Sequence, residues 1–181
     1  QYDPAAGTVR YLTNIELSVE FEGGDVGATM AAMERYASHD FDAFASKNLL
    51  NADVFATRGV PALPIGYLIV CYDDFFEEIQ PLAGLRHRLG YETTVVKTSE
   101  IPGGATNTNI KAYIQDAYEN WPVPPTFVLL VGDSGQIPVF IGGSSGSAAD
   151  VYYGSMDGAG DWLPDIYMGR FSCGTEAEVT L

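Results

Sequence analysis

The chain has 181 residues, 46% of them hydrophobic and 12% aromatic, enough for one good core or one core plus a small appendage, and too apolar for disorder. No apolar run approaches the ~20 residues that a membrane-spanning helix needs. Nine Lys and Arg stand against 24 Asp and Glu, a net charge of -15, which argues against nucleic acid or anionic membrane as partners and in favour of cations.

The opening "QYDPAAG" is polar, with neither an initiator Met nor the apolar stretch of a signal peptide, as in a processed or trimmed chain. Residues 10 to 21, "RYLTNIELSVEF", alternate: Ile15, Leu17, Val19 and Phe21 on one face, Asn14, Glu16, Ser18 and Glu20 on the other. The pattern predicts a half-buried antiparallel strand ending at "EGGD", and a lone strand needs a sheet to join. "ATMAAMERYASHDFDAFASKNLLN" reads as broken helix and loop, and "RGVPALPIG" as a stiff connector.

From residue 66 the character changes. "GYLIVCY" predicts a buried strand, "FEEIQPLAGLRHRLG" a helix stopped at Gly90, "TTVVKT" a strand, "TNTNIKAYIQDAYENW" a helix capped by Thr106 or Thr108, and "TFVLLVGD" another buried strand. Pro81 means that the first helix either starts near Gln80 or is kinked. Strand and helix in alternation, with continuous apolar runs, point to a parallel sheet with helices on its faces. Beyond Asp133 come "IPVFIGG", the loop "GGSSGSAAD", a strand "VYYGSM", an acidic loop and a strand "DIYMGRF". Thr175 with Glu178 three positions on is a capping box that announces a helix, and the sequence reads as the front piece of something larger.

In such a sheet the strand ends carry the chemistry, here Tyr72, Asp73, Asp74, Gly132 and Asp133. Cys71 lies inside an apolar run and Cys173 at a strand end, so both read as packing, with a disulfide between them left open. His39 and His87 read as surface residues, and no Ser/His/Asp or phosphate-loop pattern is present. The acidic residues are more telling. From Ala112 through Gly169 there is no Lys, Arg or His, while Asp116, Glu119, Asp133, Asp150, Asp157, Asp161 and Asp165 all fall in that window. Converging carboxylates must bind a cation, share a proton or stay apart in water, and the glycines of "DGAGDWLPD" suit a calcium loop that is not an EF-hand.

The order "YLIVCYDDF", "PLAGLRHRLGYETTVV", "IKAYIQDAY", "FVLLVGDSGQIP", "DVYYGSMDGAGDWLPDIYMGRFSC" closely resembles the front half of the catalytic domain of gingipain-type cysteine peptidases. The resemblance implies a caspase-like α/β fold, a three-layer αβα arrangement on a parallel sheet. Residues 66–181 would be its amino-terminal subdomain, and residues 1–65 the end of a β-rich pro-segment and linker. It also implies that the catalytic His and Cys belong to a downstream subdomain, so that none of Cys71, Cys173, His39 and His87 is catalytic. The family's calcium site, carried over residue by residue, falls on Asp133, Asp161 and Asp165 as carboxylates, on Leu163 through its carbonyl, and on a carbonyl at Asp157, or at Met156 or Gly158 since the loop is one residue longer here. Asp165 replaces a glutamate. The implied protein is a secreted, extracellular cysteine endopeptidase, processed from a zymogen, acting on protein or peptide substrates and partnered by its downstream subdomain, with no nucleic acid or membrane. Two other readings compete: a magnesium-dependent phosphoacceptor using Asp73, Asp74 and Asp133, and a catalytically dead calcium-binding module.

Overall fold

The computed structural model describes residues 2–9, 11, 13–20, 22–49, 64–143, 146–158 and 160–180. The chain divides into two compact units, Gln1–Met33 and Glu34–Leu181.

In the first unit β1 (Tyr2–Asp3) and β2 (Thr8–Val9) form a two-residue antiparallel pair. Asp3 turns the chain between them by accepting the N–H groups of Ala5 and Ala6 at 3.0 and 3.2 Å. The strand expected over 10–21 is not formed: residues 13–20 are irregular, and Ile15, Leu17 and Val19 are 66%, 83% and 72% exposed. Alternation only offers an apolar face, and among the described residues no sheet takes it up. Arg10, Leu12 and Phe21 lie outside the described residues, as does most of the connector, 58–63. The helix expected next is α1 (Val26–Arg35), which enters the second unit, followed by α2 (His39–Asn48).

The second unit is the expected α/β sandwich, and it begins at Glu34, well before residue 66. Its strands β3 (Ile65–Cys71), β4 (Tyr91–Lys97), β5 (Pro125–Val131) and β8 (Tyr167–Phe171) run parallel in the order β4-β3-β5-β8. A parallel sheet must be covered on both faces, which is why β3 and β5 are apolar along most of their length. On one face α3 (Phe76–Arg88) packs Ile79 and Ala83 against Ile69, Cys71 and Val131. On the other, α4 (Asn107–Asn120) packs Ile110, Ile114 and Ala117 against Leu68, Val70, Val128 and Leu130.

The boundaries follow local chemistry. Thr106 caps α4, its hydroxyl accepting from Asn109 N–H at 3.1 Å. Gly90 ends α3 with φ +96°, the left-handed conformation that favours glycine. The helix α3 starts at Phe76, not near Gln80, and carries Pro81 in its second turn, where the missing N–H deprives only the Glu77 carbonyl of its helical donor. At the far end Glu178 of α5 (Glu176–Val179) accepts from Gly174 N–H at 2.7 Å and Thr175 N–H at 3.2 Å, the carboxylate half of the expected box.

One further element departs from expectation. Residues 151–156 do not form a strand; Asp150–Tyr153 is a 3-10 turn. In a 3-10 turn residues i and i+3 overlie each other, so Asp150 and Tyr153 face the same way, whereas a strand would send them to opposite faces. The turn stands between the Ser/Gly loop, pinched by β6 (Ile141–Gly142) and β7 (Ser147–Ala148), and the acidic loop. No helix among the described residues is long and apolar enough to cross a membrane.

The start of β3 leaves no room for a side chain. A Cβ on Gly66 would stand 2.3 Å from the Pro124 carbonyl oxygen, beside a register shift between Gly66 and Tyr67. We predict that Gly66→Ala destabilises the fold by about 1–3 kcal/mol, read as a lower urea midpoint at unchanged slope.

Candidate functional site

The carboxyl end of the sheet is organised by Arg170 of β8. Its Nε and Nη2 donate to the two Asp150 carboxylate oxygens at 2.6 and 2.8 Å, and Nη1 donates to the carbonyls of Gly132 and Ile137 at 2.9 and 3.0 Å. The Arg170 side chain is only 12% exposed and that of Asp150 27%, so the pair is largely withdrawn from water. Beside it the fully buried Tyr153 donates its hydroxyl to the Pro138 carbonyl and sets its ring edge-on to Phe140. Asp150, which the sequence left without a role, is thus half of a structural ion pair.

Asp133 sits just past this knot and is exposed. Its carboxyl is held below the ordinary range by a backbone bond from Ser134 and by the Ser172 hydroxyl at 3.0 Å. The acidic loop lies at the other end of the strands. Asp165 is half-buried and accepts Met156 N–H at 2.8 Å; burial raises its pKa, and the charges of Asp157 and Asp161 raise it further. Asp161 accepts Leu163 N–H at 3.0 Å and Asp157 N–H at 3.3 Å. Lys111 of α4 reaches into this loop. It donates to the Ser155 carbonyl, and burial lowers its pKa against the pull of Asp165, Asp161 and Glu119.

The five positions implied for calcium therefore fall into two places. β5 and β8 pair in parallel over five positions, Phe127 with Tyr167 through Val131 with Phe171. Asp165 precedes that stretch and Asp133 follows it, so the paired length alone separates them by about 13 Å, at ~3.3 Å per residue. Two oxygens on one calcium lie within about 5 Å of each other, and Asp133 cannot join Asp157, Asp161, Leu163 and Asp165 on one ion. Within the loop the Met156 carbonyl accepts from Gln115 at 3.1 Å and the Gly158 carbonyl from Asp161 N–H at 3.3 Å, which leaves Asp157 to supply the early carbonyl. Among the described residues no three Asp, Glu, His or Cys side chains are gathered into a ready metal-binding group.

The other candidates are accounted for by packing and local bonds. Asp73 accepts Thr98 Oγ1 at 2.7 Å and Ser99 N–H at 2.9 Å; partial burial raises its pKa, but these bonds outweigh that and hold it low, so it serves the rim of the sheet. Asp74 is exposed. That arrangement does not favour the phosphoacceptor reading. Cys71 and Cys173 are buried free thiols of one core cluster. Burial, then the neighbouring Cys173, push the Cys71 thiol up to about 12, and burial likewise raises Cys173. A thiol with such a pKa is not a nucleophile at neutral pH. His39 and His87 are exposed on α2 and α3. Lys111 and Arg170 escaped the reading of the sequence, although the one signal for them was there: they are the two cations that bracket the base-free window.

The family model of peptidase family C25 matches residues 60–181. The chain belongs to that family. As a C25 chain it is 33% identical over 184 residues to a Lys-gingipain of Porphyromonas gingivalis, a match covering 99% of this chain and 10% of the relative. It is 27% identical to a gingipain R2 of the same organism, covering 99% of this chain and 24% of the relative. Among solved structures, one described as a protease superposes with a TM-score of 0.60 at 32% identity, over 65% of this chain and 26% of that one. The Arg-specific cysteine proteinase gingipain R gives 0.56 at 28%, over 64% and 26%. A complex of Porphyromonas gingivalis RgpB pro- and mature domains gives 0.57 at 27%, over 62% and 26%. The caspase-like α/β fold of the gingipains is therefore the fold of this C25 chain, which spans from about a tenth to about a quarter of each of these relatives.

Two predictions follow from the C25 unit's buried groups. Arg170→Met leaves the Asp150 carboxylate and two carbonyls without their donor, and lowers stability by about 3 kcal/mol in chemical denaturation, more than Asp150→Asn does. Iodoacetamide at pH 8 leaves both cysteines of the native chain unlabelled and labels both after denaturation, as read by intact mass.

Proposed function

We propose that this chain is the amino-terminal, non-catalytic part of a secreted, gingipain-like cysteine endopeptidase. It docks the subdomain that carries the catalytic His and Cys, and it reaches that state by proteolytic processing of a precursor. One observation carries the reading: the chain belongs to a family of peptidases whose relatives here include a cysteine proteinase, yet its own thiols are buried and their pKa values raised, so a reactive thiolate has to come from elsewhere. The edge strand β8 supports a docking role. It pairs only with β5 among the described strands, and Gly169 at its centre is exposed.

The acidic loop is the calcium-binding element of this proposal, with Asp157, Asp161, Asp165 and the Leu163 carbonyl as donors and Asp133 left out. Its donor set is all oxygen, and burial, then the charges of Asp157 and Asp161, raise the pKa of Asp165, the electrostatic condition a divalent cation relieves. Calcium would supply charge neutralisation and a fixed loop, and no step of catalysis.

An active-site-directed thiol reagent tests the first part. It should leave the 181-residue chain unlabelled and inactive, and should label only the downstream fragment when the two are produced together as one precursor; labelling of Cys71 or Cys173 sinks the reading. For the second part, calcium should raise the melting temperature of the chelator-treated chain, magnesium should not, and Asp165→Asn should abolish the shift while Asp133→Asn preserves it. An unmoved melting temperature removes calcium from the proposal.

A further inference from the structure

Of the two cations that bracket the base-free stretch, Arg170 serves the carboxyl end of the sheet and Lys111 the acidic loop at the other. Helix α4 presents Lys111, Gln115 and Glu119 at every fourth residue, along one of its faces. From that face the half-buried Lys111 donates to the Ser155 carbonyl and stands 3.4 Å from Met156 Sδ, while Gln115 donates to the Met156 carbonyl at 3.1 Å. Met156 N–H goes in turn to Asp165 at 2.8 Å. Ser155 and Met156, the two residues that lead into the loop, are each 7% exposed and are tied to α4 by side chains, one of them charged.

Lys111 is more than a tether. It lines a cavity of about 360 Å³ together with Asp161 and Trp162. The charges of Asp165 and Asp161 act on it, and it is the one charge acting on Asp165 that opposes those of Asp157 and Asp161. An ammonium so placed offsets one of the loop's three carboxylate charges with no metal bound. The same ammonium repels any cation that approaches those carboxylates, and it repels a doubly charged ion twice as strongly as a singly charged one.

We propose that Lys111 is the resident counter-cation of the acidic loop: it steadies the metal-free loop, and it weakens calcium binding by opposing the ion at Asp161 and Asp165. By linkage, calcium weakens the hold of Lys111 on the loop to the same extent. This rests on the calcium reading of the loop and adds what regulates its affinity.

The test is calorimetric titration of calcium into the 181-residue chain after removal of bound metal with a chelator. Lys111→Met, and Lys111→Gln, which keeps an amide donor, should each bind calcium at least about fivefold more tightly than the unsubstituted chain, the scale of one unit charge lost beside a divalent ion. Lys111→Arg keeps the charge and should stay within about twofold, as should Lys97→Met, which removes the same charge at the end of β4. In chelator both neutral Lys111 variants should melt below the unsubstituted chain, and saturating calcium should remove most of that difference. Equal or weaker calcium binding by the neutral variants overturns the proposal while the calcium reading stands, and leaves Lys111 a positioning residue only. Equal tightening by Lys97→Met reduces the effect to net charge and overturns it as well. If neither the unsubstituted chain nor any variant takes up calcium, both readings fall together.

Discussion

The carboxyl end of the sheet depends on one guanidinium. Arg170 offers four of its donors to Asp150, Gly132 and Ile137, so the strand β8, the exit from β5 and the 3-10 turn at Asp150 share a single anchor. The geometry explains why an arginine is tolerated on a half-buried strand. Its planar fork satisfies a carboxylate with two bonds and reaches two carbonyls that the β5 exit loop would otherwise leave unpaired. Once that loop is fixed, Asp133 N–H can reach the Cys173 carbonyl at 3.0 Å, which carries the β5–β8 pairing past the last strand residue.

Charge divides the molecule in the same way. The stretch from Ala112 through Gly169 has acidic residues and no bases, and the fold brings back the two cations that flank it, Lys111 to one end of the sheet and Arg170 to the other. Each meets its own carboxylates. Asp150 faces Arg170, while Asp161 and Asp165 act on Lys111. Seven acidic residues that look like one cluster in the sequence are therefore separate groups in space, which is why a single ion cannot collect Asp133 and Asp165 together.

Legibility followed burial. The runs "GYLIVCY" and "TFVLLVGD", the Thr106 cap and the Gly90 stop were readable because both faces of a parallel sheet, or both ends of a helix, impose a local pattern. What failed depended on partners far away. Ile15, Leu17 and Val19 have the alternation of a strand but, among the described residues, no sheet beside them, while "DVYY" has strand-forming residues in a turn that Arg170 holds through Asp150. Likewise nothing local in "AAMERYASHDF" says that Arg35 ends a helix 83 to 86 residues on. Of the candidate site, the acidic loop was legible from its carboxylates and glycines. Its separation from Asp133 was not, because that depends on the register of β5 against β8.

The position of Cys71 bears on where chemistry can occur in such a fold. It is the last residue of β3, paired on one side with Lys97 and on the other with Val131, and its side chain belongs to the core cluster under α3. A substrate can approach only beyond the strand ends, where the helices no longer cover the sheet. One residue further on, Tyr72 is already at that rim, its N–H bonded to the Val131 carbonyl at 3.0 Å and its ring edge-on to Phe75. The rim of this unit thus presents aromatic and carboxylate groups where a cysteine peptidase would need a thiol with a base beside it. Behind that rim Arg170 ties β8, the exit from β5 and the turn at Asp150 to one another, so the acidic and aromatic groups of the border stand on a single anchor.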